Sequence, residues 1–196
     1  MTDEKLLKLA DEFQTVLMKD GREGMEDLIL FLRNSGFYDS PCSTQFHLAE
    51  PGGLLQHSVN VLHAAEKISV ALYGSKNLTK DLKNSIAVCA LLHDVGKIGQ
   101  FDKSMYVPNI LKSGKTSDAK PFATNSELLP VEHEIRSIVL VSMFIDLTEE
   151  EQFAILYHNG LYSNTGKYVL PGKETPLQMI IHFSDLWASR VMDVNN

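Results

Sequence analysis

Apolar positions recur at helical intervals along most of the chain. Leu6, Leu7, Leu9, Ala10, Phe13, Val16 and Leu17 keep the three-to-four spacing of an amphipathic helix, which Gly21 closes. A second run, Met25, Leu28, Ile29 and Leu32, ends at Gly36. Pro41, Pro51 and paired glycines make residues 37–53 a loop, and a longer helix is predicted from Leu54 to Tyr73, stopped by Gly74. Thr79 is placed to cap the next, which carries Leu82, Ile86, Cys89 and Leu92. The rhythm fails between Gly99 and Leu129, where Pro108, Gly114 and Pro121 interrupt it. There Ser104–Leu111 and Ala119–Asn125 are expected to pair as a small hairpin. Pro130 is expected to open a helix through Ile135, Ile138, Val139 and Met143. Thr148 and Glu151 form a capping box for a helix bearing Phe153, Leu156 and His158. After a second loop, Gly160 to Glu174, Thr175 and Pro176 start the last helix. The pattern predicts an all-α bundle with a small β-hairpin insertion. Residues 1–45 form an N-terminal helical segment packed on a core of residues 46–196.

Composition narrows the class. A chain of 196 residues with 44% hydrophobic content can bury the core of one domain. Asp3, Glu4 and Lys5 precede any apolar residue except the first, unlike a cleavable signal. No apolar run approaches the roughly 18 residues of a membrane span. Of two cysteines, Cys42 falls in a loop and Cys89 inside an apolar helix, so no disulfide framework is expected and a reducing cytoplasm is the default. The net charge of −7 disfavours long nucleic acid, whose non-specific binding rests on clustered Lys and Arg. It leaves room for a small phosphorylated substrate held by a local positive site.

The candidate chemistry centres on His93-Asp94, which ends the apolar run Ala90-Leu91-Leu92 and precedes Val95-Gly96-Lys97. An imidazole and a carboxylate at one rigid point can both reach metal, and a carboxylate can bridge two cations. His57 stands between Leu54 and Val61 on its helix face, and Asp185 follows Ile181 by one turn, so both border the core. A carboxylate there is costly to bury unless paired or metal-bound. His133, at a loop-to-helix junction, reads as a further ligand or an ordinary surface residue, and His158, ending its helix, as a ligand or a partner of the helix dipole. A lone histidine of this kind is ordinarily a hydrogen-bonded core residue; several in one chain shift that balance.

The order His, His-Asp, His, His, Asp resembles the HD superfamily of metal-dependent phosphohydrolases in its two-metal form. Pro51-Gly52-Gly53-Leu54-Leu55-Gln56-His57-Ser58 is similar to the segment bearing the first ligand, and Leu92-His93-Asp94-Val95-Gly96-Lys97 to that bearing the second. The likeness runs from about Phe46 to Arg190. It implies a single-domain HD-type bundle in which His57, His93, Asp94 and Asp185 hold one metal, while Asp94, His133 and His158 hold another. The cofactors expected are two divalent transition ions: Fe, Mn, Co, Ni or Zn. Lys97 occupies a position where members often place a lysine near substrate phosphate; the alternative is a solvated turn lysine. Arg136, three residues after His133, could present its fork to a metal-bound phosphate or pair with Glu132. Asp94, Lys97 and Arg136 are therefore the expected catalytic residues.

The function implied is hydrolysis of a phosphoester or phosphoanhydride bond by a metal-activated water, the partner being a nucleotide or other small phosphorylated molecule. Three alternatives share the residues: an HD-type diiron oxygenase, an exoribonuclease-like phosphodiesterase, and a nucleotide-binding regulator without turnover. The segment Gly53-Leu54-Leu55 resembles that of HD-bearing exoribonucleases, although the nucleic-acid-binding barrel that usually precedes the domain there is missing. His47 is a candidate for the pocket mouth, and His182 is expected to pack, with a hydrogen bond to a ligand as the alternative. His63 is expected to face elsewhere, and Lys167 and Lys173 to approach substrate. The insertion 99–129, anchored at both ends near ligands, is expected to act as a lid.

Overall fold

In the computed structural model, which describes residues 2–194, the first buried stripe comes from α1 (Asp3–Met18). Thr2 caps it, and Leu9, Phe13 and Leu17 face inward at four-residue intervals. The second helix, α2 (Met25–Asn34), buries Met25, Leu28, Ile29 and Leu32. The first half of α3 (Gly53–Tyr73) is buried on every side, from Leu54 through Leu62, which marks it as the central helix. It packs against α1, against α4 (Lys80–Leu92), which Thr79 caps, and against the C-terminal helix described below. His57 is thus carried on the least exposed element of the fold. At the end of α4 the chain tightens into a 3-10 turn, Val95–Ile98, with His93 and Asp94 at the junction.

The insertion forms the expected hairpin. Strands β1 (Tyr106–Pro108) and β2 (Phe122–Thr124) pair antiparallel, with Tyr106 opposite Thr124 and Pro108 opposite Phe122. Two short strands are marginal alone. These are tied to the body where the Phe122 N–H donates to the Thr44 carbonyl at 3.2 Å.

The next helix starts later than the proline suggests. Val131 N–H donates to Leu129 O, closing a tight turn around Pro130, and Glu132 remains extended. Consequently α5 (His133–Ser142) has His133 as its first helical residue. The capping box of Thr148 and Glu151 opens α6 (Glu149–Leu156). His158 lies just beyond that helix, in the turn that follows. The second loop contains a 3-10 turn at Gly160–Tyr162 and the single-turn α7 (Gly166–Val169). Thr175 caps α8 (Pro176–Trp187), which carries Asp185 and runs on into a π turn, Ala188–Met192.

Side chains of α1 and α2 share one hydrophobic core with α3, α4, α5, α6 and α8. Residue 1 and residues 195–196, the outer limits of the expected segments, lie outside the described residues. Among the described residues no helix is long and apolar enough to cross a membrane.

A buried ion pair fastens the N-terminal helices to the rest. Arg22, between α1 and α2, donates to both Glu151 oxygens at 2.7 and 2.9 Å and to the Asp146 carbonyl at 3.0 Å. The Glu151 side chain is fully shielded from solvent. Burial raises its pKa, but the Arg22 and Thr148 hydrogen bonds outweigh this and hold it below its usual range. A carboxylate with a depressed folded pKa contributes stability above its unfolded pKa, and loses it as pH falls through the folded value. Arg22→Ala should therefore cost about 2–3 kcal/mol at neutral pH by stranding Glu151. That difference from wild type should shrink under acid, read by urea melts at pH 7 and pH 4.

Candidate metal centre

Five parts of the chain converge behind one cavity. α3 supplies His57, the α4 junction His93 and Asp94, the first turn of α5 His133, and the turn after α6 His158; α8 adds Asp185. The Asp94 carboxylate stands in the middle. Its Oδ2 lies 3.5 Å from His57 Nε2 and 3.4 Å from His93 Nε2. Its Oδ1 lies 3.1 Å from His133 Nε2 and 3.6 Å from His158 Nε2. Asp185 Oδ1 is 3.1 Å from His57 Nε2. Ligand atoms of His57, His93 and Asp94 fall within 4.8 Å of one another, as do those of Asp94, His133 and His158. Ligand atoms of His93, His158 and Asp185 meet the same limit, so Asp94 is common to the first two groups while Asp185 joins a third.

Three of the four imidazoles are held by their far nitrogens. His93 Nδ1–H donates to the Ala90 carbonyl at 2.9 Å, and His158 Nδ1–H to the Ile155 carbonyl at 2.8 Å. His57 Nδ1–H donates to Asp193 Oδ2 at 2.8 Å, and the other Asp193 oxygen accepts from Asn60 at 2.7 Å. Tying Nδ1 in this way leaves Nε2 of His57 and His93 aimed at the centre without a partner, the arrangement that orients metal-binding histidines, whereas His158 Nε2 accepts from Asn159 Nδ2 at 3.0 Å. Glu134 Oε2 lies 3.3 Å from His133 Nδ1, and its other oxygen accepts from Asn159. His182 does more than pack: it donates from Nδ1 to the backbone carbonyl of His158 at 2.7 Å.

The donor set fits cations. His57 Nε2, His93 Nε2 and Asp94 Oδ1 are buried without a hydrogen-bond partner. Leaving one such atom unsatisfied costs about 1–3 kcal/mol. Converging imidazole nitrogens and carboxylate oxygens are the ligands that borderline divalent ions take.

Charge at the centre is mutually compensated. Burial works to raise the Asp94 pKa, yet Lys97, His93 and His133 hold it well below the carboxylate range. Burial likewise opposes charge on Lys97, but Asp94 at 2.6 Å keeps its ammonium protonated well above the usual range. Burial and then the charge of His93 push His158 down to about 4, so its imidazole is neutral at physiological pH. Burial works to raise the Asp185 pKa, but the His57 imidazole, its Nε2 3.1 Å from Oδ1, holds it strongly depressed.

A cavity of about 670 Å³ opens onto this centre, lined by Asp94, Lys97, His133, His158 and Asp185 on one side. His47 joins the lining, its Nε2 3.4 Å from Cys42 Sγ and its ring centroid 5.1 Å from that of His57. Lys167, Lys173 and the insertion 99–129 contribute nothing to the lining. The insertion instead flanks Lys97 from behind, where Ser104 and Tyr106 border a smaller cleft. It does not cover the cavity as a lid would. His63 faces away and pairs with Glu12.

Arg136 is a correction to the expected catalytic set. Its guanidinium is buried, donating to the Leu129 carbonyl at 2.6 Å and to Gln100 Oε1 at 3.0 Å. Because α5 begins only at His133, the residue one turn on points toward the two ends of the insertion and staples them together. It neither lines the cavity nor pairs with Glu132. Three residues with a part in the site carry no local sign of it. Asp193 is separated from His57 by 136 positions, and Arg190 and Asn159 look like ordinary polar residues until the cavity places them. Only Glu134, an acid in the first turn of a helix beside a candidate ligand, had a readable cue.

Gly96 shows how tightly the centre is built. A Cβ there would fall 2.1 Å from the His133 carbonyl oxygen and 2.8 Å from Ser137 N, backbone atoms that cannot move aside. Gly96→Ala should push α5 and His133 outward, costing roughly 1–3 kcal/mol of stability. Thermal melts together with metal titration should show both losses.

An all-helical bundle around a buried histidine–aspartate centre fitted for divalent cations is the class these features define. The chain belongs to the HD domain family, whose model matches residues 54–186, well over half of the sequence. The match spans all six candidate ligands. Members of this family bind divalent metals and are mostly metal-dependent hydrolases. No curated protein and no solved structure matches the chain.

Proposed function

We propose that this chain is a metal-dependent phosphohydrolase acting on a nucleotide or another small phosphorylated molecule. The observation that carries the reading is the Asp94 carboxylate set between two groups of imidazoles, with unsatisfied buried donor atoms aimed at the gap. His57, His93, Asp94 and Asp185 would hold one ion; Asp94, His133 and His158 would hold the other. When bound, two divalent ions would supply Lewis acidity and acidify a water at neutral pH. The reaction adds the water oxygen to phosphorus and breaks the phosphorus–oxygen bond to the leaving group, which departs with the proton.

The chain's own residues prepare that step. His57, His93 and His158 are locked by their Nδ1 bonds, so their nitrogens need no reorganisation. Lys97, anchored on Asp94 and facing the cavity, places fixed positive charge beside the phosphoryl oxygens. The free, buried Cys42 and Cys89 fit a reducing compartment, and the cytoplasm is the proposed location.

A panel of nucleoside mono-, di- and triphosphates and dinucleotides, assayed with Mn²⁺, Fe²⁺, Co²⁺, Ni²⁺ and Zn²⁺, tests the reading. Release of phosphate, pyrophosphate or nucleoside is the expected result. Dioxygen consumption by the iron form without phosphate release would assign the centre to an oxygenase.

A further inference from the structure

The cavity lining also carries three residues the reaction itself does not use. Phe46 and Tyr162 line it with 78% and 69% of their surfaces exposed. Arg190 lines it too, and its guanidinium has no hydrogen bond or ion pair among the described residues, in a chain whose net charge is −7. Exposed aromatic rings lining a concave cavity suit a planar ligand group. A guanidinium fork without a carboxylate partner suits a phosphate.

Position separates Arg190 from Lys97. Lys97 is bonded to Asp94, the shared candidate ligand, and so serves the phosphate being cleaved. Arg190 comes from the π turn five residues past Asp185, about 7 Å farther along the helix axis. π turns recur at functional sites because the extra residue re-aims the side chains around it. Here one such turn leads into Asp193, which braces His57, and also carries Arg190 to the cavity wall.

We propose that the cavity is built for a nucleotide carrying a second phosphate beyond the one at the metals. Its base stacks on the wall of Phe46 and Tyr162, and Arg190 pairs with the second phosphate. This deepens the phosphohydrolase reading and rests on it for the placement of the first phosphate. Nucleoside diphosphates and dinucleotides share this chemistry, and the substrate panel above separates them.

Calorimetric titration of the full chain loaded with Mn²⁺ tests the proposal without turnover. The probes are adenosine 5′-(α,β-methylene)diphosphate, adenosine 5′-monophosphate, and methylenediphosphonate, which has no base. Arg190→Ala should weaken the diphosphate analogue roughly tenfold or more and the monophosphate far less. Tyr162→Ala and Phe46→Ala should each weaken both nucleotides, roughly five- to a hundredfold, and leave methylenediphosphonate unchanged. Tyr168→Ala, an exposed aromatic of the same loop outside the cavity, should bind all three as wild type does. The proposal is overturned if the analogue does not bind, or if Arg190→Ala affects both nucleotides alike. Binding with the expected pattern, but no hydrolysis across the panel, would remove the hydrolase reading and leave the recognition site standing. Hydrolysis with wild-type binding in every variant would do the reverse.

Discussion

Asp94→Asn is expected to abolish nucleotide hydrolysis, with a loss of roughly a thousandfold or more, and to release most bound metal. The reason is geometric. Asp94 alone approaches all four candidate imidazoles, two through each oxygen. An amide keeps the shape but loses the charge and one acceptor, so both ion sites fail together. His133→Ala should instead strip one ion and leave the His57 set able to hold the other. Circular dichroism and a metal assay on both variants separate loss of ligands from loss of fold. Wild-type turnover in folded Asp94→Asn would remove the shared-ligand assignment.

The second large effect is expected at Lys97. Its side chain is nearly buried and held at 2.6 Å from Asp94 Oδ2, so a solvated-turn lysine is not what the structure shows. Lys97→Ala should lower kcat by about one to three orders of magnitude, the usual consequence of removing one preorganised positive group. Metal content should stay near wild type, because an ammonium is not a ligand. Lys97→Arg should recover part of the rate. A variant that turns over normally would leave Lys97 with a structural part only, as a counter-charge to Asp94.

Much of this could be read from the chain because helices are local. Leu9, Phe13 and Leu17, or Thr148 with Glu151, declare a helix within one or two turns. The His-Asp pair is equally local, and its family order carried the remaining ligands. What failed was set by distance in the fold. Arg136 looked catalytic from its spacing to His133, but the turn at Pro130 delays α5 and sends the guanidinium to Leu129 and Gln100. Asp193 was illegible because its partner His57 lies on the central helix, and only the π turn at 188–192 brings them together. The lid expectation failed for a similar reason: the insertion leaves from a candidate ligand yet packs behind it, against residues of the 41–48 loop.

The central claim is that the buried histidines and aspartates form a two-ion centre. Elemental mass spectrometry on the full chain, purified without chelator, counts the ions directly. The account predicts about two divalent transition ions per chain, held through gel filtration. Protein that retains none, and binds none on titration with Mn²⁺, Fe²⁺, Co²⁺, Ni²⁺ or Zn²⁺, would contradict it.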